Sequence, residues 1–326
     1  MIESLGPALD YNGWTYHTIQ TEKGLQFRVL PDKPEEYDLE PDNLFKLYAL
    51  NQFSVDALLN GYLYATHPCQ FNDLYDCHPN LIIPDDLNFV KGLLEPFFKI
   101  TELNALLIKM KDQQEFAKHF FREILYRKVG VISFTVNPHN PLMWAYYTNN
   151  QGFCVRFNIN KFEFNRYGPF PVNYQKEILP ISTKAFGVSN ALLAQSNIKS
   201  KTWQHEAEYR ILAEPEKDFS SPDCSSISEW EGQERKVHYD ISCIESIALG
   251  NRFFSPKELN VLPDEILDIQ LETKENEQRI KILDFIIGND IDLLVTQFQN
   301  DLVSLGFTPG TLKKIKEYHY QVTPKK

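Results

Sequence analysis

The chain has 326 residues, 43% hydrophobic and 13% aromatic, enough apolar material for a sizeable core. Its formal net charge of -11 is not the broad positive footprint of a nucleic-acid binder. No window holds the roughly 18 uninterrupted apolar residues of a membrane helix, and MIESLGPALDYNGW lacks a basic stretch followed by an apolar run. The expectation is a protein of the cytoplasm that does not enter a membrane.

Residues 1–43 are polar and turn-rich, punctuated by Pro31, Pro34 and Pro41. They read as an N-terminal extension with one hairpin, WTYHTI against LQFRVL. The core begins at NLFKLYAL, whose alternation predicts a strand. SVDALLNG predicts a short helix with Ser54 as N-cap and Gly61 as its end. The strand YLYAT follows, then a structured loop, HPCQFNDLYD, rich in turn-forming side chains.

Residues 85–128 show apolar spacing of three and four and predict a helical insertion. GVISFTV predicts a strand, NPHNPLMWAYYTNN a turn and short helix, and GFCVRFNI and PFPVNYQ two further strands. Residues 182–202 read as helical. WQHEAEYRILAE reads as a long strand or a helix-to-strand junction, and IESIALG as a strand ending at Gly250. SPKELNVL suggests a helix capped by Ser255, LDIQLET and QRIKILDF a hairpin across KENE, and residues 290–319 two C-terminal helices.

The predicted class is α+β, with a central mixed or split sheet, the insertion and C-terminal helices. The expected organisation is an extension (1–43), one core domain (44–290) and a helical tail (291–326). No G-x-G-x-x-G follows a strand and there is no Walker loop. The cysteines, Cys69, Cys77, Cys154, Cys224 and Cys243, are odd in number and irregularly spaced, which argues against a disulfide framework. Cys69, Cys77 and His78 form no C-x-x-C pair, so reduced thiols and no metal site are expected.

Four stretches concentrate large and polar residues: FKLYAL, THPCQFNDLYD, MWAYYTNNQGFCVRF and WQHEAEYR. In order and spacing they resemble the bacterial family known as domain of unknown function 2971, over roughly residues 44–290. Lys46 stands at the family's lysine, and Thr66 near its serine. Phe71, Asn72, Asp73 and Asp76 keep its turn, and Met143, Trp144 and Tyr147 its methionine–tryptophan segment. Gly152 and Cys154 match a glycine-x-cysteine strand, and Trp203, Glu206, Glu208 and Arg210 match closely. Leu47, Tyr48, Leu74 and Tyr146 depart from the family's tyrosine, arginine, proline and histidine.

Transferases that cleave NAD at the nicotinamide bond offer an analogy. They carry a polar residue on one strand, a hydroxyl residue on a second and a glutamate on a later one. By that analogy Tyr48, Thr66 and Glu208 form a catalytic triad, with Glu206 orienting the acceptor through strand alternation. Lys46, Asn72, Asp73, Trp144, Tyr147 and Arg210 would bind substrate, with Trp144 or Tyr147 stacking on nicotinamide. The analogy then implies an NAD-consuming, ADP-ribosyltransferase-like toxin or effector, and the family resemblance implies a setting in bacterial antiphage defence. Its partners would be a nucleotide, a macromolecular acceptor and a neutralising antitoxin protein.

Two other readings use the same residues. Asp73, Asp76, Glu206 and Glu208 could hold a divalent ion for phosphodiester cleavage, as in a nuclease. Alternatively, an aromatic cleft with His139 and His205 could make a non-enzymatic sensor. The plainest reading gives Glu206 and Glu208 to an exposed strand face, in surface ion pairs worth under about 1 kcal/mol each.

Overall fold

The computed structural model describes residues 3–4, 7–22, 24–67, 71, 73, 75–85, 91, 99–112, 130–213, 235–272, 276–298 and 305–325. Its architecture is α+β around a mixed sheet of eleven strands. From one edge these run Arg166–Pro171, Glu208–Ala213, Gly130–Thr135, Asn43–Tyr48, Phe153–Asn158 and Ile244–Leu249. They continue through Asp292–Phe298, Leu305–Lys316, His319–Pro324 and Leu267–Gln270 to Leu259–Val261. Only Ile244–Leu249 against Asp292–Phe298 is parallel; the other neighbours are antiparallel.

One junction in this sheet is weak. Asn43–Tyr48 pairs along its length with Phe153–Asn158, but meets Gly130–Thr135 at a single registered pair, Phe45 opposite Thr135. Beyond that pair, Lys46 Nζ donates to the Ser133 carbonyl at 2.9 Å, so a side chain supplies a hydrogen bond in place of the ladder. Thr66 bridges to Val131 on the same strand. The sheet is split at this point.

The predicted strands from 43 to 48, 130 to 135, 153 to 158 and 244 to 249 are present; the last three bury nearly all their residues, while in the first only Leu44 is fully buried. The hairpin pairs Trp14–Thr21 with Gly24–Leu30. Leu9, Tyr11, Trp14 and Tyr16 of this N-terminal region are buried in a cluster with Leu193, Ala194 and Ile198. The helix Gln52–Leu59 is capped by Asn51 rather than Ser54: the Asn51 side chain accepts from the Ser54 backbone N–H. Of the expected helical insertion, Ile100–Asp112 is helical, and residues 86–90, 92–98 and 113–129 lie outside the described residues.

Several expectations are corrected. The described residues of the segment predicted as two C-terminal helices lie mainly in the strands Asp292–Phe298 and Leu305–Lys316, and residues 299–304 lie outside the described residues. Gly306, Pro309 and Gly310 are poor helix formers, and Leu312 faces Val322 while Lys314 faces Tyr320, a period of two. QRIKILDF is not a hairpin strand but lies in the helix Glu277–Gly288, whose Ile282, Leu283 and Ile286 recur at helical spacing into the core. SPKELNVL makes no helix: Glu258 accepts the Ser255 N–H in a turn, and Leu259–Val261 continues as the edge strand. The stretch 182–202 holds the helices Thr183–Phe186 and Val188–Gln195, divided by Gly187 at φ 81°, and then the strand Ile198–Ser200. Among the described residues no helix is long and apolar enough to cross a membrane.

Cys77, Cys154 and Cys243 are buried. The glycine of the Gly-x-Cys pair has a steric reason. A Cβ on Gly152 would collide with the Tyr48 carbonyl oxygen, where the chain leaving the helix Pro141–Thr148 passes beside the strand Asn43–Tyr48. Gly152→Ala is therefore expected to destabilise the fold by about 3 kcal/mol, as overpacking against rigid backbone does. Chemical denaturation of the variant and the parent checks this.

Candidate active site

A cavity of about 350 Å³ occupies the split. Because it lies in the gap between strands, Phe45 and Leu47 reach it as well as Lys46. Thr66, Phe71, Ser133, Thr135, Met143 and Tyr147 form further wall, and Asp76, Lys199, Glu206, Glu208 and Arg210 the charged floor.

Arg210 organises the floor. It is 1% exposed on the strand Glu208–Ala213. Its Nε donates to Glu208 Oε1 at 2.8 Å, and one terminal nitrogen donates to Asp76 Oδ1 and the Ser196 carbonyl, both at 2.8 Å. The other reaches Asp76 Oδ2 at 2.5 Å and Glu208 Oε2 at 3.2 Å. These contacts engage all five N–H donors of the guanidinium, and the Phe71 ring lies 5.2 Å from it. Arg210 was expected to bind substrate. It instead holds Asp76 and Glu208, because its donors are already committed.

Lys199 completes the network. Its ammonium donates to Glu206 Oε2 at 2.5 Å and Glu208 Oε2 at 3.0 Å, lies 3.6 Å from Asp76 Oδ2, and sits 5.2 Å from the centre of the Trp203 ring. Burial opposes its charge, but Glu208, Asp76 and Glu206 together keep it protonated well above the ordinary lysine range. Sequence reasoning missed Lys199 because it read the segment as helix. The strand Ile198–Ser200, parallel to Asn173–Gln175, is what aims it inward.

Glu206 and Glu208 share the cavity, but not by strand alternation. Glu206 ends the 3₁₀ helix Lys201–Glu206, and Ala207 turns the chain with φ 43° before the strand begins at Glu208. A non-glycine residue in that left-handed conformation costs roughly 1–3 kcal/mol, which the surrounding contacts must outweigh. Thr135 Oγ1 donates to the Glu206 carbonyl at 2.6 Å, the Asn140 amide to the His205 carbonyl at 2.6 Å, and the Glu208 N–H to Tyr174 Oη at 2.9 Å. The two carboxylates are 3% and 5% exposed, which removes the reading of an exposed strand face.

Their electrostatics differ. Burial raises the Glu206 carboxyl above its usual range; repulsion from Glu208 adds to this, and the Lys199 attraction and the hydrogen bond from Tyr147 Oη only partly offset it. Burial also disfavours charge on Glu208, but Arg210 and Lys199 outweigh it and hold the carboxyl well below the carboxylate range. Glu208 is a fixed anion, and Glu206 is the carboxyl able to exchange a proton.

The remaining expected site residues fall into three groups. Lys46, Thr66 and Tyr147 line the cavity. Tyr48 and Trp144 do not: the Tyr48 ring stacks on buried Phe153 at 5.2 Å, and Trp144 is 1% exposed in a separate cluster, its indole N–H donating to the Pro138 carbonyl at 2.7 Å. Neither is placed for the role assigned to it, because each ring is used by the core. Asp73 is not among the lining residues, and its Oδ1 accepts the Tyr75 N–H. Asn72 lies outside the described residues.

The model of a family described as a protein of unknown function (DUF2971) matches residues 143–211. The chain resembles that family there, in a segment that carries Tyr147, Lys199, Glu206, Glu208 and Arg210; Lys46, Thr66 and Asp76 lie outside it. No curated protein matches the chain, and no solved structure does.

The two glutamates are expected to differ in stability effect. Glu208→Gln leaves Arg210 and Lys199 undercompensated and is expected to cost about 3–5 kcal/mol at pH 7. Glu206→Gln is expected to cost under about 1 kcal/mol, since at neutral pH ionised Glu206 gains less than an ordinary carboxylate from its surroundings. A depressed carboxyl stabilises above its unfolded value of about 4.3 and loses that contribution as pH falls through its folded value. The Glu208→Gln deficit should therefore shrink on acidification. Glu206 has the opposite sign, so any advantage of Glu206→Gln over the parent should grow as pH rises through the raised value. Denaturation curves across the acid range check both signs.

Proposed function

We propose that the cavity cleaves an N-glycosidic bond of a nucleotide, with NAD as the substrate and ADP-ribose transfer as the reaction, and that the chain acts as an NAD-consuming effector. One observation carries the reading: two buried carboxylates share one cavity in unequal surroundings, Glu208 bound by both Arg210 and Lys199 and Glu206 by Lys199 and Tyr147, the arrangement that separates an electrostatic stabiliser from an acid–base group. In this reading Glu208, held anionic by Arg210 and Lys199, faces the ribose on which positive charge develops as nicotinamide departs, sharing its own charge with those two cations. Glu206 is suited to accepting a proton from the attacking acceptor. Thr66 and Tyr147 supply hydroxyls at the walls. A cavity of about 350 Å³ is at the small end for ligand pockets and suits the nicotinamide–ribose half, with the rest of the dinucleotide reaching solvent.

The arrangement gives less support to a divalent-ion nuclease. The oxygens of Asp76, Glu206 and Glu208 are engaged by an ammonium and a guanidinium, so an ion would have to displace Lys199. Among the described residues, no group of three or more His, Cys, Asp or Glu side chains is arranged to hold a metal.

The experiment is nicotinamide release from NAD by the purified chain, with and without a chelator, beside Glu206→Gln. The expected result is chelator-insensitive release, with transfer to an acceptor reduced about 10²–10⁴-fold in the variant, the range for loss of an acid–base group. Activity should rise with pH through the raised Glu206 value, since the base must be deprotonated. Absence of both nicotinamide release and binding heat at millimolar NAD would sink the proposal.

A further inference from the structure

Two lysines face the cavity from opposite environments. Lys199 is surrounded by three carboxylates and stays an ammonium. Lys46 stands on the apolar wall. Among the described residues its ammonium makes one hydrogen bond, to the Ser133 carbonyl, and it lies 5.6 Å from the Phe134 ring centre and 5.9 Å from that of Tyr48. Its side chain is partly exposed to the cavity rather than sealed in the core.

Burial favours a neutral amine at Lys46, while the nearby carboxylate and the two ring faces favour the ammonium. Glu208, on the strand across the split, is the carboxylate whose field reaches Lys46. That carboxylate is already bound by Arg210 and Lys199. Glu206 and Asp76 on the floor are likewise engaged by the other two cations. Tyr48 on the same strand and Cys154 on the next stay neutral, because burial raises both. Burial lowers the Lys46 ammonium to about 8, with Glu208 only partly opposing it. Desolvated lysines of this kind are nucleophiles at moderate pH.

We propose that Lys46 is a reactive-amine site that condenses with the carbonyl carbon of a small aldehyde or ketone admitted to the cavity, including the open-chain form of a reducing sugar. The amine lone pair attacks the carbonyl carbon, and the C=O π pair moves to oxygen, which takes up a proton. The carbinolamine loses its hydroxyl as water after a second protonation, for which Glu206 is the lining carboxyl able to supply the proton. The nitrogen gives up both its hydrogens over the sequence, so amine plus carbonyl yields imine plus one water. This chemistry needs neither glycosidic cleavage nor Glu208, so it stands independently of the reading above.

The test is reductive trapping on the folded full-length chain with glycolaldehyde and cyanoborohydride, mapped by peptide mass spectrometry from pH 6 to 10. Cyanoborohydride supplies the hydride that turns the imine into a stable secondary amine. Lys46 is expected to label at least ~10-fold faster than exposed Lys33 or Lys281 at pH 7, because an ordinary lysine near 10.4 is almost fully protonated there. Its labelling should level off above pH 8 while that of the exposed lysines keeps rising, and Lys199 should stay unlabelled. In urea the preference for Lys46 should vanish. The proposal is overturned if Lys46 in the folded chain labels no faster than exposed lysines, or if its preference survives unfolding, which would make it a property of local sequence. Since the labelling is read site by site in the parent chain, the test does not depend on a variant that folds.

Discussion

The double fork of Arg210 is the constraint around which the site is arranged. A buried guanidinium is tolerated only when its donors are satisfied and its charge is compensated. Here those requirements are met from three separate parts of the chain: Asp76 from the loop before residue 85, Ser196 from the end of the helix Val188–Gln195, and Glu208 from the same strand. Joining them fixes Asp76 against the strand Glu208–Ala213, beside the cavity that both line. Such a network is weak evidence for net stability, since well-packed apolar groups could replace it at similar cost. Its use is positional: removing any member leaves the others buried and unpaired, so the floor forms as a unit.

The two cations are shared unequally among three carboxylates. Arg210 and Lys199 both lie against Asp76 and Glu208, whereas Glu206 meets Lys199 alone. Burial therefore dominates at Glu206 and raises its carboxyl, with repulsion from Glu208 adding to it, despite the contact with Lys199. At Glu208 the two cations outweigh burial and hold the carboxyl low. The 3₁₀ turn and the left-handed Ala207 matter because a continuous strand would offer no such separate environment.

Much of the sheet was legible in the sequence, because Gly130–Thr135, Phe153–Asn158 and Ile244–Leu249 are nearly continuous apolar runs that the fold buries. The region from 290 to the C-terminus was not, since LVTQF and LKKIKEYHY support either period when read alone; the pairing of Leu312 with Val322 decides it. The short lengths of Ile198–Ser200 and Asn173–Gln175 hid Lys199, for three residues carry no resolvable period and their partner is distant in sequence. WQHEAEYR was legible as chemistry and misread as geometry: both glutamates reach one cavity, but across a turn. Trp144 and Tyr48 show the reverse error. Large aromatics beside polar residues suggest a ligand platform, yet their area is more often spent on the core, where these two are found. Asp76 was legible from its place in FNDLYD as an ion ligand, but only the fold sets its side chain against Arg210.

The split in the sheet links these points. A fully paired junction between Asn43–Tyr48 and Gly130–Thr135 would satisfy every backbone group and leave no cavity. With a single registered pair, part of that hydrogen bonding passes to a side chain, and Lys46 is drawn to Ser133. The lysine is thereby held against Phe134 and Tyr48 and away from the acidic floor, which is why two lysines in one cavity can differ in protonation. Pairing this junction more completely would remove the cavity and the low-dielectric seat of Lys46 together. The same backbone irregularity therefore gives the site its room, its anionic floor and its neutral-capable amine on opposing walls.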